Sequence, residues 1–76
     1  MEAKKKKEML RKFGQTLAKA REKKGLSLRE LAALCDVDAS EIHRFEHGQK
    51  NPTLATILDL AAGLEIDAKD LLDFNI

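Results

Sequence analysis

Tryptophan and tyrosine are absent from the chain, and only three phenylalanines occur. That excludes a surface of stacked aromatics of the kind that grips single-stranded nucleic acid. The only cysteine, Cys35, has no partner for an internal disulfide, so the cross-links on which small secreted folds rely are missing. No apolar run approaches the roughly 20 residues of a membrane span. The charged start, Met1 to Lys7, leads into no apolar stretch of a secretory signal, so a cytoplasmic location with no membrane partner is expected. Alternation of apolar and polar residues at period two is also lacking, which argues against strands. The one proline, Pro52, falls between helical segments rather than inside one. No internal repeat, glycine-rich phosphate loop or cofactor motif occurs.

What remains is a 76-residue chain with room for one hydrophobic core, read as a single domain over 1–76. So short a chain buries a modest fraction of its surface, and pairing of two copies would add to its stability. The net charge is +1, but it is unevenly divided. Residues 1–25 hold ten Lys and Arg against three Glu, whereas residues 26–76 hold four against ten Asp and Glu. Two readings of the basic start stand side by side: a solvated, frayed segment over residues 1–7, or a surface that meets phosphate.

Helical spacing dominates the rest. Met9, Phe13, Leu17 and Ala20 predict a first helix from Glu8 to Lys24, stopped by Gly25. Ser27 with Glu30 three residues on forms a capping box for a second helix, Leu28 to Leu34 or Cys35, burying Leu31, Ala32 and Cys35. Asp36, Val37 and Asp38 make a tight turn. Asp38, paired with Glu41, caps a third helix from Ala39 to His47, with Ile42 and Phe45 inward and Gly48 as its stop. Thr53 caps a fourth helix, Leu54 to Gly63, with Leu54, Ile57, Leu58 and Ala61 on one face. Asp67, with Asp70, caps a short fifth helix in the apolar end Leu71, Leu72, Phe74 and Ile76. The fold class is therefore all-α.

Leu26 to Leu54 carries the functional information. Two short helices are joined by about three residues, and Val37 in the turn is apolar and should set their angle by packing inward. The third helix is expected to expose Ala39, Ser40, His43 and Arg44 opposite Ile42 and Phe45, an arrangement suited to the major groove of DNA. Arg44 can contact guanine bidentately, Ser40 and His43 can donate or accept, and Ala39 can meet a thymine methyl.

Taken in order, Arg21-Glu22-Lys23-Lys24-Gly25-Leu26-Ser27, Glu30-Leu31-Ala32, Val37, Ser40 to Gly48 and Asn51-Pro52-Thr53-Leu54 resemble the XRE family of phage repressors and Cro. The resemblance covers about Leu17 to Leu72. It implies a five-helix repressor-like bundle whose third helix reads the major groove. It also implies phosphate contacts at Ser27 and Arg29, then at Lys50, Asn51 and the Thr53 backbone. Arg21 and Glu46 match a structural ion pair of that family. The pattern departs at Leu28, where glutamine is frequent, and at Asp36, where glycine is usual. Asp38 and Glu41 add negative charge at the front of the third helix and should weaken non-specific DNA binding.

His43, Glu46 and His47 spell H-x-x-E-H, seen in some zinc peptidases, but no third ligand or cleft accompanies them, and no metal is expected. Cys35 sits at an apolar helical position and is expected to be inert. Leu72, Phe74 and Ile76 suit a two-fold interface, with Met9 and Leu10 on the first helix as a second candidate surface. The expected function is sequence-specific binding of double-stranded DNA by a dimeric transcriptional repressor or autoregulator. The alternative is a protein-interaction module that keeps the fold with weak or no DNA binding. No enzyme activity, cofactor or small-molecule ligand is expected.

Overall fold

Phe13 and Leu17 stand four residues apart and so share one face of a helix. In the computed structural model, which describes residues 1–75, that helix is α1, Ala3–Lys23. It is followed by α2 (Leu28–Leu34), α3 (Ala39–Glu46), α4 (Leu54–Leu64) and α5 (Ala68–Leu71). No strand occurs among the described residues, and none of their helices is long and apolar enough to cross a membrane. The all-α, five-helix architecture is as the periodicity predicts. One core contains Phe13, Leu17, Leu31, Val37, Ile42, Phe45, Leu60, Ala61, Leu64 and Leu71. α1 packs on α3 and α5, while α2 packs on α3 and α4.

Three expectations need correction. The segment over residues 1–7 is not a frayed tail: helix begins at Ala3, and the Glu2 carbonyl accepts the Lys6 amide at 3.0 Å. Alanine and lysine are good helix formers, and a helix already anchored by Phe13 and Leu17 propagates at little cost. In α4 the apolar face is rotated from the expected one. Leu54 and Leu58 are 70% and 52% exposed, while Leu60 and Leu64 are inside with Ala61. Finally, Gly63 does not end α4. The helix runs on to Leu64 and is closed by Glu65 in the left-handed conformation, φ 56°. Gly63 instead lies against the end of α2, where a Cβ would come within 3.0 Å of Cys35 Cβ and 3.2 Å of the Leu34 carbonyl.

Gly14 has the tightest such position. A Cβ built there would sit 2.4 Å from the Phe45 carbonyl oxygen and 2.5 Å from that of Glu46. The backbone of α1 therefore approaches the last turn of α3 more closely than any side chain permits. On an exposed helix Gly→Ala stabilises by about 1 kcal/mol. Here the added methyl meets backbone that cannot swing aside. Gly14→Ala is expected to destabilise the fold by about 1–3 kcal/mol, the usual range for overpacking, read as a lower urea midpoint; an unchanged or higher midpoint would show that the two helices can separate freely.

Candidate functional site

α2 opens on a complete capping box. The Ser27 hydroxyl accepts from the Glu30 amide at 3.0 Å, and Glu30 Oε1 accepts from the Ser27 amide at 2.8 Å. The Ser27 amide, and then the Ser27 hydroxyl, favour the charged form of the Glu30 carboxylate, so its pKa is lowered. At the far end of α2 the turn through Cys35, Asp36 and Val37 reverses the chain. Val37 is buried, as expected, and fixes how α3 leaves the turn. The Asp38 side chain makes no cap hydrogen bond, although its backbone carbonyl accepts from Glu41 and Ile42 at 3.0 Å each. The expected Asp38–Glu41 box is thus not formed, and Glu41 is engaged elsewhere. Asp67 likewise makes no side-chain cap to α5. Thr53 does cap α4, accepting from the Thr56 amide at 3.1 Å.

Ile42 and Phe45 are both buried and anchor α3. Its opposite face presents Ser40, His43 and Arg44 to solvent. Ala39 departs from expectation, being half-buried against the body of the domain. The helix closes through two backbone bonds, Gly48 N–H to the Phe45 carbonyl at 3.1 Å and Gln49 N–H to the Arg44 carbonyl at 2.9 Å. His47 follows with its Nδ1 donating to the His43 carbonyl at 2.8 Å, the two imidazoles 4.2 Å apart. No group of three or more potential ligands is arranged around a metal position among the described residues.

The orientation of α3 is set from behind. Arg21 Nε and Nη2 donate to the two carboxylate oxygens of Glu46 at 2.7 and 3.0 Å. Nη1 donates to the Leu26 carbonyl at 2.7 Å. One guanidinium thus ties α1, the link to α2 and the end of α3. The side chains are only 15% and 6% exposed, and the Glu46 hydrogen bonds raise the Arg21 pKa further.

The remaining expected contact residues lie at the starts of α2 and α4 and in the loop between α3 and α4. Ser27, Arg29, Asn51 and Thr53 are exposed, Ser27 and Thr53 at the starts of α2 and α4. Lys50 is half-buried, and its ammonium donates to Glu41 Oε2 at 2.8 Å while lying 5.8 Å from the centre of the Phe45 ring. This pair was not foreseen, since nine residues and a helix end separate the two. Gly14 was missed too, although an isolated glycine inside a helical pattern is itself a sign of close backbone approach. Of the expected pairing surface, Leu72 is exposed, Phe74 packs partly against the core, and Ile76 lies outside the described residues.

A helix-turn-helix domain family model matches residues 12–74, which includes all of α2 to α5. The chain belongs to the XRE-type helix-turn-helix family. Control protein C.BamHI of Bacillus amyloliquefaciens is 36% identical over 64 residues, 83% of this chain and 79% of that protein. The restriction-modification controller protein C.AhdI of Aeromonas hydrophila superposes with a TM-score of 0.80 at 45% identity, covering 82% of this chain and 94% of that one. A helix-turn-helix transcriptional regulator from Vibrio cholerae gives a TM-score of 0.84 at 29% identity, covering 87% of this chain but 37% of that longer one. These relatives are regulators rather than enzymes, and this member of the family is a DNA-binding transcriptional regulator.

Two expectations follow from the family scaffold. Glu46→Ala leaves the Arg21 guanidinium largely buried without its carboxylate and should lower stability by about 3 kcal/mol, measured by chemical unfolding; a loss near zero would remove the pair from the account of how α3 is held. Glu30, whose folded pKa is depressed, contributes stability that is present above its ordinary value of about pH 4.5 and is lost as pH falls through the lowered one. Glu30→Gln should flatten that acid limb of the melting temperature, and an unaltered pH profile would mean that the charged box contributes nothing.

Proposed function

We propose that the protein is a sequence-specific, controller-type regulator that binds double-stranded DNA as a homodimer in the cytoplasm and acts on its own or neighbouring transcription. The observation that carries this reading is the exposed Ser40, His43 and Arg44 face of α3, held rigidly by buried Ile42 and Phe45 and by the Arg21–Glu46 pair. Arg44 makes no ion pair among the described residues and can meet guanine O6 and N7 with two donors. Ser40 and His43 supply further base contacts, and Ala39, half-buried, supplies at most its methyl edge. Ser27, Arg29, Asn51 and the capped start of α4 at Thr53 supply phosphate contacts. Lys50 joins them by exchanging Glu41 for phosphate.

Similarity to C.AhdI and C.BamHI favours the controller reading. Homodimerisation is supported by apolar surface that α4 and the chain end leave to solvent, Leu54, Leu58 and Leu72. Leu72 remains part of the proposed interface. Phe74 supports it from beneath, being packed against the core. A second reading, a protein-interaction module, draws on the carboxylates Asp38 and Glu41 beside the reading face.

Selection of binding sites from random duplex DNA at moderate salt decides between them. A pseudo-palindrome with half-sites about ten base pairs apart is expected. No enrichment, with no affinity at low salt, would favour the interaction module. Arg44→Ala should relax the preference at one base pair per half-site and weaken binding by about 1–3 kcal/mol; an unchanged selected motif would show that another residue does the reading.

A further inference from the structure

The reading face accounts for few of the chain's cations. Ten of its fourteen Lys and Arg lie within residues 1–25. Arg21 is consumed by Glu46 and Lys50 is paired with Glu41. Asp38 and Glu41 stand at the entrance of α3, so that end gives little general attraction for a polyanion.

The first turns of α1 are built differently. α1 has 21 residues, so at 1.5 Å per residue it is about 31 Å long, close to the 34 Å long axis of the whole molecule, whose other extents are 22 and 21 Å. Its N-terminal turns are an ordered rod rather than a tail. Lys4, Lys7 and Arg11 follow one another at i, i+3 and i+7 and therefore share one face. That face is not remote from the reading helix. Lys4, Lys7, Glu8 and Arg11 line one shallow depression together with His47 and Gly48, the residues that end α3. The Arg11 backbone and Gly48 are in close approach, since a Cβ at Gly48 would lie 3.2 Å from Arg11 Cα. Glu8 pairs with Arg11 and, at 4.0 Å, with Lys12. Lys4 and Lys7 are exposed and make no ion pair among the described residues.

We propose that the Lys4, Lys7 and Arg11 face of α1 is a second DNA-backbone contact, an ordered basic arm that continues the α3 surface through His47 and Gly48 and grips duplex phosphates beside the site that α3 reads. The inference rests on the DNA-reading role of α3. It adds α1 to the phosphate contacts that supply the sequence-independent part of the affinity and leaves the sequence-dependent part to α3. Charge complementarity and continuity with the reading surface select duplex phosphate as the occupant.

The test measures fluorescence anisotropy of a labelled 40-base-pair duplex of random sequence, titrated with full-length protein at several salt concentrations. Wild type is compared with Lys4→Ala/Lys7→Ala and with Lys6→Ala, a lysine on the opposite side of α1. All three positions are exposed, and alanine is the better helix former; far-ultraviolet circular dichroism checks that the helix content is kept. Each lost phosphate contact should reduce the slope of log affinity against log salt by about 0.9. The double variant is expected to lose about 1.8 of the slope and keep the same selected motif, while Lys6→Ala leaves the slope near wild type. A slope unchanged in the double variant, or one reduced per lysine as much by Lys6→Ala, overturns the arm, even where wild type selects a clear operator. A changed motif in the double variant overturns the division between the two helices. No binding of wild type to any duplex would instead defeat the reading role of α3 and the arm with it.

Discussion

Arg21 reaches from α1 to three places at once: both oxygens of Glu46 and the carbonyl of Leu26. Beside it, Gly14 lets the two backbones meet without an intervening side chain. These two features make α1 and the C-terminal turn of α3 one rigid piece. The attitude of the reading face is set there, because a helix as short as α3 has little stability of its own and takes its orientation from what it packs on. Ile42 and Phe45 supply the apolar part of that packing, and the ion pair supplies direction, since two parallel N–H···O bonds tolerate little rotation.

The distribution of charge can be understood on the same frame. Acidic groups gather at the front of α3 and basic groups along α1, and the Arg21–Glu46 and Lys50–Glu41 pairs consume two of the cations. In a regulator of this kind, specificity depends on the difference between correct and incorrect duplexes rather than on total attraction. On the proposed reading, carboxylates beside the exposed face of α3 lower affinity for every sequence alike and leave discrimination to Arg44 and its neighbours.

Most of the fold was legible in the sequence because the signals were local. The Ser27–Glu30 box, Gly25 and Gly48 at helix ends, and the spacing of Phe13, Leu17, Ile42 and Phe45 mark elements without knowledge of the tertiary arrangement. The Arg21–Glu46 pair was readable only through the family resemblance, since 25 residues separate its members. What was not legible depended on neighbours in space. The α4 face could not be phased from its own sequence because leucine and alanine occur on nearly every side of it, and contact with α2 and α5 chose Leu60 and Leu64 over Leu54 and Leu58. Ala39 looks exposed on a helical projection, yet the body of the domain half-covers it. The lysine run looks like a tail by composition and is helix because a distant core holds its continuation.

The Glu41–Lys50 pair gives the molecule a built-in competitor for its own cation. In the free protein the carboxylate holds the ammonium, and the phosphate contact proposed for Lys50 would exchange one partner for another. A chromosome offers millions of incorrect sites, and a scarce protein that held them well would be soaked up before reaching its target. Holding one lysine back internally shortens each unproductive stop. On that proposal the pool that remains mobile is larger, and the concentration at which the regulator begins to respond follows its rate of synthesis more closely.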